Sequence, residues 1–177
     1  MMKLKLKRVL LTVLFVLFGF VLQRTLFQRL ALGSVKPNLL LVIVASVAFL
    51  RGPKEGMLSG FLAGILIDIQ FGGLLGFYAF FYMVTGYVNG LLGGTYYEEN
   101  MRLPVAFIAA SEFCYGVLIY LLMFMLRSEF DFPYYFSHII IPELIYTILV
   151  ALALYPLVRL INYRLETEEK RSMGKFV

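Results

Sequence analysis

Cysteine, histidine and charged residues are scarce in this chain of 177 residues, which has one cysteine, one histidine and 15% charged residues. The single cysteine, Cys114, excludes an intramolecular disulfide, and the lack of a Cys/His cluster argues against a metal site. The sequence has no basic face of the kind that binds nucleic acid. Hydrophobic residues make up 61% of the chain, against roughly 45–50% in a soluble domain. A water-soluble globule is therefore excluded, and we predict an all-α membrane protein.

Apolar stretches long enough to be membrane helices follow one another along the chain. Crossing the bilayer takes about 20 largely apolar residues. Six stretches come close to this requirement: 9–30, 37–50, 56–69, 74–92, 103–126 and 139–158. Because they leave no room for a separate soluble domain, we predict a bundle of six transmembrane helices. It forms one integral membrane domain over residues 1–177, with a cytoplasmic tail over 164–177.

The second and third stretches have 14 residues each, which is short for a span. They can also be interpreted as a re-entrant hairpin that enters and leaves the membrane on one side. That hairpin would place the charged residues Arg51, Lys54 and Glu55 in hydrocarbon, where each charge costs at least about 2.5–3.5 kcal/mol. Two spans, either tilted or in a locally thinned bilayer, are the favoured interpretation.

Basic residues are distributed unequally between the two sides that six spans define. The side that carries both termini holds twelve of the 16 Lys and Arg residues, and the opposite side holds four. An excess of Lys and Arg marks the cytoplasmic face, so we predict that both termini are cytoplasmic. The N-terminus also looks like a secretory leader, but its small-residue cleavage pattern, Ala31-Leu32-Gly33, is poor. We therefore expect the first span to be kept.

Glycines recur every four residues through the third stretch. The row consists of Gly52, Gly56, Gly60 and Gly64, continued by Asp68 and Gly72, and the fourth stretch has Gly86, Gly90 and Gly94. Residues four apart lie on nearly the same face of a helix, where glycines allow another backbone to approach closely. These faces can pack the two helices against each other, or they can receive the transmembrane helix of a partner. The spacing leaves both interpretations open.

Three ionisable residues fall inside the predicted spans: Asp68, Glu112 and Glu143. Such groups are expensive in a membrane and are functional candidates by default. Further polar residues lie toward the predicted outer side: Arg24, Asn38, Arg127 and His138. The sequence thus allows a polar cavity that opens outward, in which Asp68 pairs with Arg24 or accepts a hydrogen bond from Asn38. The same groups can instead hydrogen-bond across helices and only hold the bundle together.

Signatures of intramembrane enzymes are incomplete in this chain. The segment GMLSG at 56–60 misses the rhomboid-type G-x-S-G by one residue, and Asp68 lacks the Gly-x-Gly-Asp context of intramembrane aspartyl proteases. With His138 as the single histidine, no set of nucleophile, base and orienting group can be assembled. We predict no enzymatic activity, no catalytic residue and no cofactor.

A recognisable pattern extends over about residues 37–94. Its segments are PNLLL at 37–41, LRG at 50–52 followed by Gly56, GFLAGILID at 60–68, LG at 75–76 and GY at 86–87. This pattern resembles the bacterial rod shape-determining protein MreD family. The length, the short spans and the cytoplasmic termini also suit that family, although the later spans resemble it only in general character.

The resemblance implies a plasma-membrane subunit of the machinery that elongates the side wall of the cell. It implies direct binding to the bitopic scaffold MreC and, through MreC, association with the actin-like MreB, the glycosyltransferase RodA and a penicillin-binding transpeptidase. The implied fold resembles the substrate-binding subunits of energy-coupling-factor transporters, but a shared fold does not confer activity. We predict a non-catalytic scaffold whose glycine-lined faces receive MreC, surrounded by membrane lipids. The alternative is a small-molecule or lipid binding or transport subunit with an outward-facing polar cavity.

Overall fold

The computed structural model of the chain describes residues 2–31, 35–71, 75–95, 101–123 and 131–173. In chain order the helices are α1 (Met2–Arg29), α2 (Leu39–Arg51), α3 (Pro53–Phe71), α4 (Phe77–Thr95), α5 (Arg102–Met123), α6 (Phe132–Tyr135) and α7 (Ile141–Met173). A π-helical turn, Phe136–Ile140, joins α6 to α7, so a continuous helical rod runs from Phe132 to Met173. None of the residues in these ranges forms a β-strand, which confirms the predicted all-α class.

The short helix α2 forms the centre of the bundle. Eleven of its 13 residues are buried, and it is in contact with α1, α3, α4, α5 and α7. Its sequence, LLLVIVASVAFLR, is apolar on every side, as expected for a helix that other helices enclose. At about 1.5 Å per residue it is about 20 Å long, too short to cross a hydrocarbon core of about 30 Å unless the bilayer is locally thinner.

Three helical segments of the described chain are long and apolar enough to cross a membrane: Arg8–Phe27, Arg102–Leu122 and Phe132–Leu165. The helices α3 and α4 have 19 residues each, but their glycines and polar side chains lower their apolarity, and α2 is too short. These three segments fit a membrane protein. The six crossings and the single domain are not confirmed by these criteria and stay predictions.

One end of the bundle is held together by Arg51, the last residue of α2. Its guanidinium, on a side chain that is 10% exposed, donates hydrogen bonds to Asn162 Oδ1 of α7 (2.6 Å), Thr12 Oγ1 of α1 (3.2 Å) and Glu55 Oε2 of α3 (3.3 Å). Arg8 pairs with the other oxygen of Glu55 at 3.4 Å. Four helices therefore meet in one polar network, about 20 Å from the opposite end of α2.

Helical structure continues beyond the last predicted span. Residues 139–158 lie within the rod, and α7 continues through the predicted tail as far as Met173. The charged residues that follow position 163 are unsuited to hydrocarbon, but Glu, Lys and Arg are good helix formers, so the helix outlasts the apolar pattern. Gly72, Arg127 and the last four residues lie outside the described residues.

Candidate functional site

The glycine rows of α3 and α4 face each other within the chain. A Cβ added at Gly56 would overlap the backbone of Gly86, and a Cβ added at Gly60 would overlap the backbone of Tyr82. Gly64 fits in the same way against the first turn of α4. The two helices therefore touch backbone to backbone, as glycine faces allow, and the chain itself covers these faces.

Gly90 and Gly52 lie at the far end of the same interface and differ in role. A Cβ at Gly90 would overlap the backbone of the turn between α2 and α3. Gly52 forms that turn with a φ of +93°, and a Cβ there would contact nothing. Only glycine adopts such a φ readily. The turn therefore requires glycine at position 52, whereas close packing against another helix does not.

Asp68 caps α4 and takes no part in a polar cluster. Its carboxylate accepts three backbone hydrogen bonds, from the N–H groups of Gly76 (3.1 Å), Tyr78 (3.0 Å) and Ala79 (3.0 Å). The first N–H groups of a helix have no partner within it, and a negative charge suits a helix N-terminus. The partnerships with Arg24 or Asn38 that the sequence allows are not formed, because the start of α4 satisfies both oxygens of Asp68.

Asn38 connects several helices at the end of α2 that lies opposite Arg51. Its Oδ1 accepts hydrogen bonds from the Tyr82 hydroxyl of α4 (2.7 Å) and from the N–H of Leu41 (3.2 Å), so the side chain caps α2. Its own N–H donates to the hydroxyl oxygen of Thr147 in α7 at 3.1 Å. The three polar side chains of this cap are all buried. They fix the start of α2 relative to α4 and α7.

Glu112 of α5 and Glu143 of α7 lie next to this cap. Glu112 is 3% exposed, and Asn38, Thr147 and Glu143 lie beside its carboxylate. Neither carboxylate oxygen has a well-aligned hydrogen bond to any residue of the described chain. A buried polar group without a partner costs about 1–3 kcal/mol, and more if it is charged. Well-aligned hydrogen bonds within the described chain therefore do not offset the burial of Glu112.

A cavity of about 180 Å³ lies beside these residues. Its polar wall includes Gln23, Arg24, Lys36, Asn38, Tyr115 and Glu143. Of the polar residues that the sequence predicts for a cavity, the structure brings Asn38, Glu112 and Glu143 together and places Arg24 in the cavity wall, whereas Asp68 lies in the cap of α4. The outward orientation of the cavity stays a prediction.

Three residues of the site are not distinguished by any motif: Tyr82, Tyr115 and Thr147. Tyrosines in apolar helices are often assigned to the membrane boundary, where the ring is buried and the hydroxyl is in water. Tyr82 instead lies in the interior. The available signal is its position near the middle of an apolar stretch, because a buried tyrosine hydroxyl needs a hydrogen-bond partner.

The chemistry of this site is that of binding. Over the described ranges, no group of three or more His, Cys, Asp and Glu residues is placed to hold a metal ion. His138 is exposed on the π-helical turn, where its ring stacks on Tyr134 at a centroid distance of 4.2 Å. The cavity itself offers hydrogen-bonding groups, aromatic rings and charges of both signs.

Comparison with known proteins assigns the chain to a family. No curated protein and no solved structure matches it, so the predicted likeness to the substrate-binding subunits of energy-coupling-factor transporters is not confirmed. A family model described as rod shape-determining protein MreD matches residues 3–164. The match includes both the glycine-packed helices and the residues around the cavity. The chain therefore belongs to the rod shape-determining protein MreD family.

Proposed function

We propose that this chain is a non-catalytic membrane subunit of the bacterial cell-elongation complex, in which it binds the scaffold protein MreC. Through MreC it helps to position MreB, RodA and a penicillin-binding transpeptidase for side-wall synthesis. It lies in the plasma membrane with six crossings and both termini in the cytoplasm. The family match supports the role in rod shape, and the outer surface of α4 is the observation that carries the binding role.

The outer surface of α4 is a stripe of large apolar side chains, which we call the α4 face. It consists of Phe80, Val84, Tyr87, Val88 and Leu91, which are each at least 40% exposed. Their spacing of three and four residues places them on one side of the helix. The opposite side of α4 carries the glycines that contact α3. The helix therefore has one face that the chain covers and one that it leaves open.

A partner helix is expected on the α4 face for two reasons. The glycine rows, which the sequence offered as a docking surface, are already occupied within the chain. In addition, α4 is not among the segments apolar enough to cross a membrane by composition, which favours protein and not lipid as the neighbour of its open face. Close van der Waals contact is what holds helices together in lipid, since hydrophobic transfer gains little. A bitopic protein such as MreC supplies one apolar helix of this kind.

Co-purification of tagged MreC with the full chain tests this proposal. Val84 and Val88 are replaced together by Trp, which keeps the face apolar but blocks close approach of a helix. A matched double replacement by Trp at Leu149 and Leu152, two residues of α7 that are about half exposed, serves as the control. We expect the α4 double variant to retain at most about one tenth of the MreC, a loss of about 1.4 kcal/mol or more. The α7 double variant should retain the wild-type amount.

Each outcome bears on a separate part of the proposal. If the unaltered chain fails to retain MreC, the proposed function is wrong. If the α4 double variant retains MreC as well as the unaltered chain, MreC binds elsewhere. Both variants are first checked for a monodisperse elution profile in detergent, so that loss of MreC is not confused with loss of the fold.

A further inference from the structure

The cavity beside Asn38 has an open mouth and a closed floor. Lys36 and Gln70 are exposed at the mouth, whereas Tyr82 is buried at the floor. The cavity volume of about 180 Å³ exceeds the roughly 150 Å³ of an engineered protein cavity that binds benzene. A small polar group therefore has room to enter.

The floor of the cavity is acidic and aromatic. Glu143 lies there with the rings of Tyr82 and Tyr115, whose centroids are 6.0 Å apart, and Glu112 lies beside Glu143. Neither oxygen of Glu112 has a well-aligned hydrogen bond within the described chain, although Asn38 and Thr147 lie beside its carboxylate. The ion pairs of Arg8 and Arg51 lie at the other end of the bundle, where both residues pair with Glu55. Carboxylates and aromatic faces together attract an ammonium group, whose N–H bonds would supply the donors.

The mouth of the cavity is basic and adjoins an apolar groove on α1. Arg24 and Lys36 line the mouth. The groove, of about 670 Å³, is lined by Leu22, Leu26 and Arg29, and Arg24 borders it as well. An anionic group held at Arg24 would thus lie between an acidic floor and an apolar groove. Arginine is well suited to a phosphate, because its planar fork matches the geometry of the phosphate oxygens.

We propose that this cavity binds the headgroup of an aminophospholipid of the phosphatidylethanolamine type. The ammonium group lies on the floor against Glu143, which lines the cavity, with Glu112 behind it. The phosphate lies at the mouth beside Arg24 and Lys36, and an acyl chain follows the groove on α1. The acidic floor, the basic mouth and the apolar groove thus follow one another in the same order as the ammonium, the phosphate and the acyl chain of the lipid.

Other common headgroups match this order less well. Phosphatidylglycerol has the phosphate but no cation for the acidic floor. Phosphatidylcholine has the cation, but its methylated ammonium has no N–H to donate to Glu143. The inference concerns a different surface from the α4 face, so it does not depend on the binding of MreC. If lipid binding is refuted, the proposal that the chain binds MreC is unaffected.

Native mass spectrometry of the delipidated full chain in mild detergent tests the inference. Phosphatidylethanolamine, phosphatidylcholine and phosphatidylglycerol with identical acyl chains are titrated separately. We expect phosphatidylethanolamine to bind at least about tenfold more tightly than either of the others. Soluble phosphoethanolamine, added as a competitor, distinguishes a lipid site from a site for a free zwitterion.

Substitutions at the floor locate the binding site. Glu143→Gln should lower the affinity for phosphatidylethanolamine about tenfold or more, since it removes a charged hydrogen-bond acceptor from the cavity wall. Glu112→Gln, which removes the carboxylate beside Glu143, should lower the affinity in the same direction. Glu143→Asp, which keeps the charge, should restore most of it. Glu55→Gln is the matched control, because Glu55 lies in the network of Arg51 at the other end of the bundle. It should leave lipid binding unchanged.

Three results would overturn the inference. One is equal affinity for the three lipids. A second is wild-type affinity for phosphatidylethanolamine in both Glu→Gln variants. The third is displacement of the lipid by phosphoethanolamine at the lipid's own concentration, which would indicate a site for the free zwitterion. The selectivity of the unaltered chain decides the matter even if one of the variants fails to fold.

Discussion

Replacing Gly60 by Ala tests the packing of α3 on α4 most directly. The added Cβ would overlap the carbonyl oxygen of Tyr82, an atom of the α4 backbone. A side chain in that position can rotate away, but a backbone carbonyl held in a helix cannot. The two helices therefore have to separate, and the contacts along their whole interface lengthen.

The expected magnitude follows from two opposing terms. Overpacking of a close interface costs about 1–3 kcal/mol, and a backbone obstacle places Gly60 at the upper end of that range. Alanine is the better helix former by about 1 kcal/mol, which offsets part of the cost. We expect Gly60→Ala to lower the free energy of unfolding by about 2 kcal/mol. For a chain of this length that corresponds to a melting temperature lower by about 4–8 °C.

Gly19→Ala provides the control for this prediction. A Cβ at Gly19 would also meet an obstacle, but the obstacle is the terminal methyl group of the Ile43 side chain, which can change rotamer. Its melting temperature should equal or exceed that of the unaltered chain. Because Cys114 is exposed in the folded chain, thiol-reactive dyes would label the native state, so melting is followed by circular dichroism in detergent. Equal melting temperatures for Gly60→Ala and Gly19→Ala would refute the backbone contact.

Two further substitutions test the polar ends of the bundle, each followed by the same melting assay. Asp68→Ala removes the acceptor of three backbone hydrogen bonds and should lower the free energy of unfolding by about 2–4 kcal/mol. Its control is Asp131→Ala, at a helix start where the side chain makes no capping bond. That variant should change the free energy of unfolding by at most about 0.5 kcal/mol. Arg51→Gln removes the donor that joins α2 to α1, α3 and α7 and should cost about 2–4 kcal/mol, against little change for the exposed Lys54→Gln. A pair with equal melting temperatures would contradict the corresponding contact.

The sequence predicts where the helices lie along the chain better than it predicts which helices pack against each other. Apolar stretches locate α2 to α5 to within a few residues, because burial and membrane insertion both require long apolar runs. The first stretch locates the end of α1, but that helix begins at Met2, well before the predicted start at residue 9. The glycine spacing of α3 predicts a face that another backbone approaches, but spacing does not reveal which backbone it is. That the neighbour is α4 follows from the short connection between the two helices, which favours an antiparallel pair, and this favours the interpretation of packing within the chain.

The role of a buried carboxylate is the part that sequence patterns predict least. Asp68 and Glu143 are both acidic residues in apolar stretches, yet Asp68 is satisfied by the start of α4 and Glu143 lines the cavity. The difference depends on where the next helix begins and how it is tilted, to within about 1 Å. A one-dimensional pattern contains no such distance. It therefore identifies both residues as candidates without assigning either to its task.

The contrast between the two ends of α2 supports a binding role for the cavity. At one end Arg51, Glu55 and their partners satisfy one another across four helices. At the other end Glu112 is buried beside a second carboxylate with no hydrogen-bond partner in the described chain. Stability alone would favour an apolar residue there, since replacing unpaired buried polar groups by apolar ones is commonly neutral or stabilising. Local rules are broken mainly where function requires it. A ligand that brings a positive charge and N–H donors would remove the penalty. Because Glu112→Gln removes the buried carboxylate, we expect this variant to melt at a higher temperature than the unaltered chain in the absence of lipid. It should lose that advantage when phosphatidylethanolamine is added.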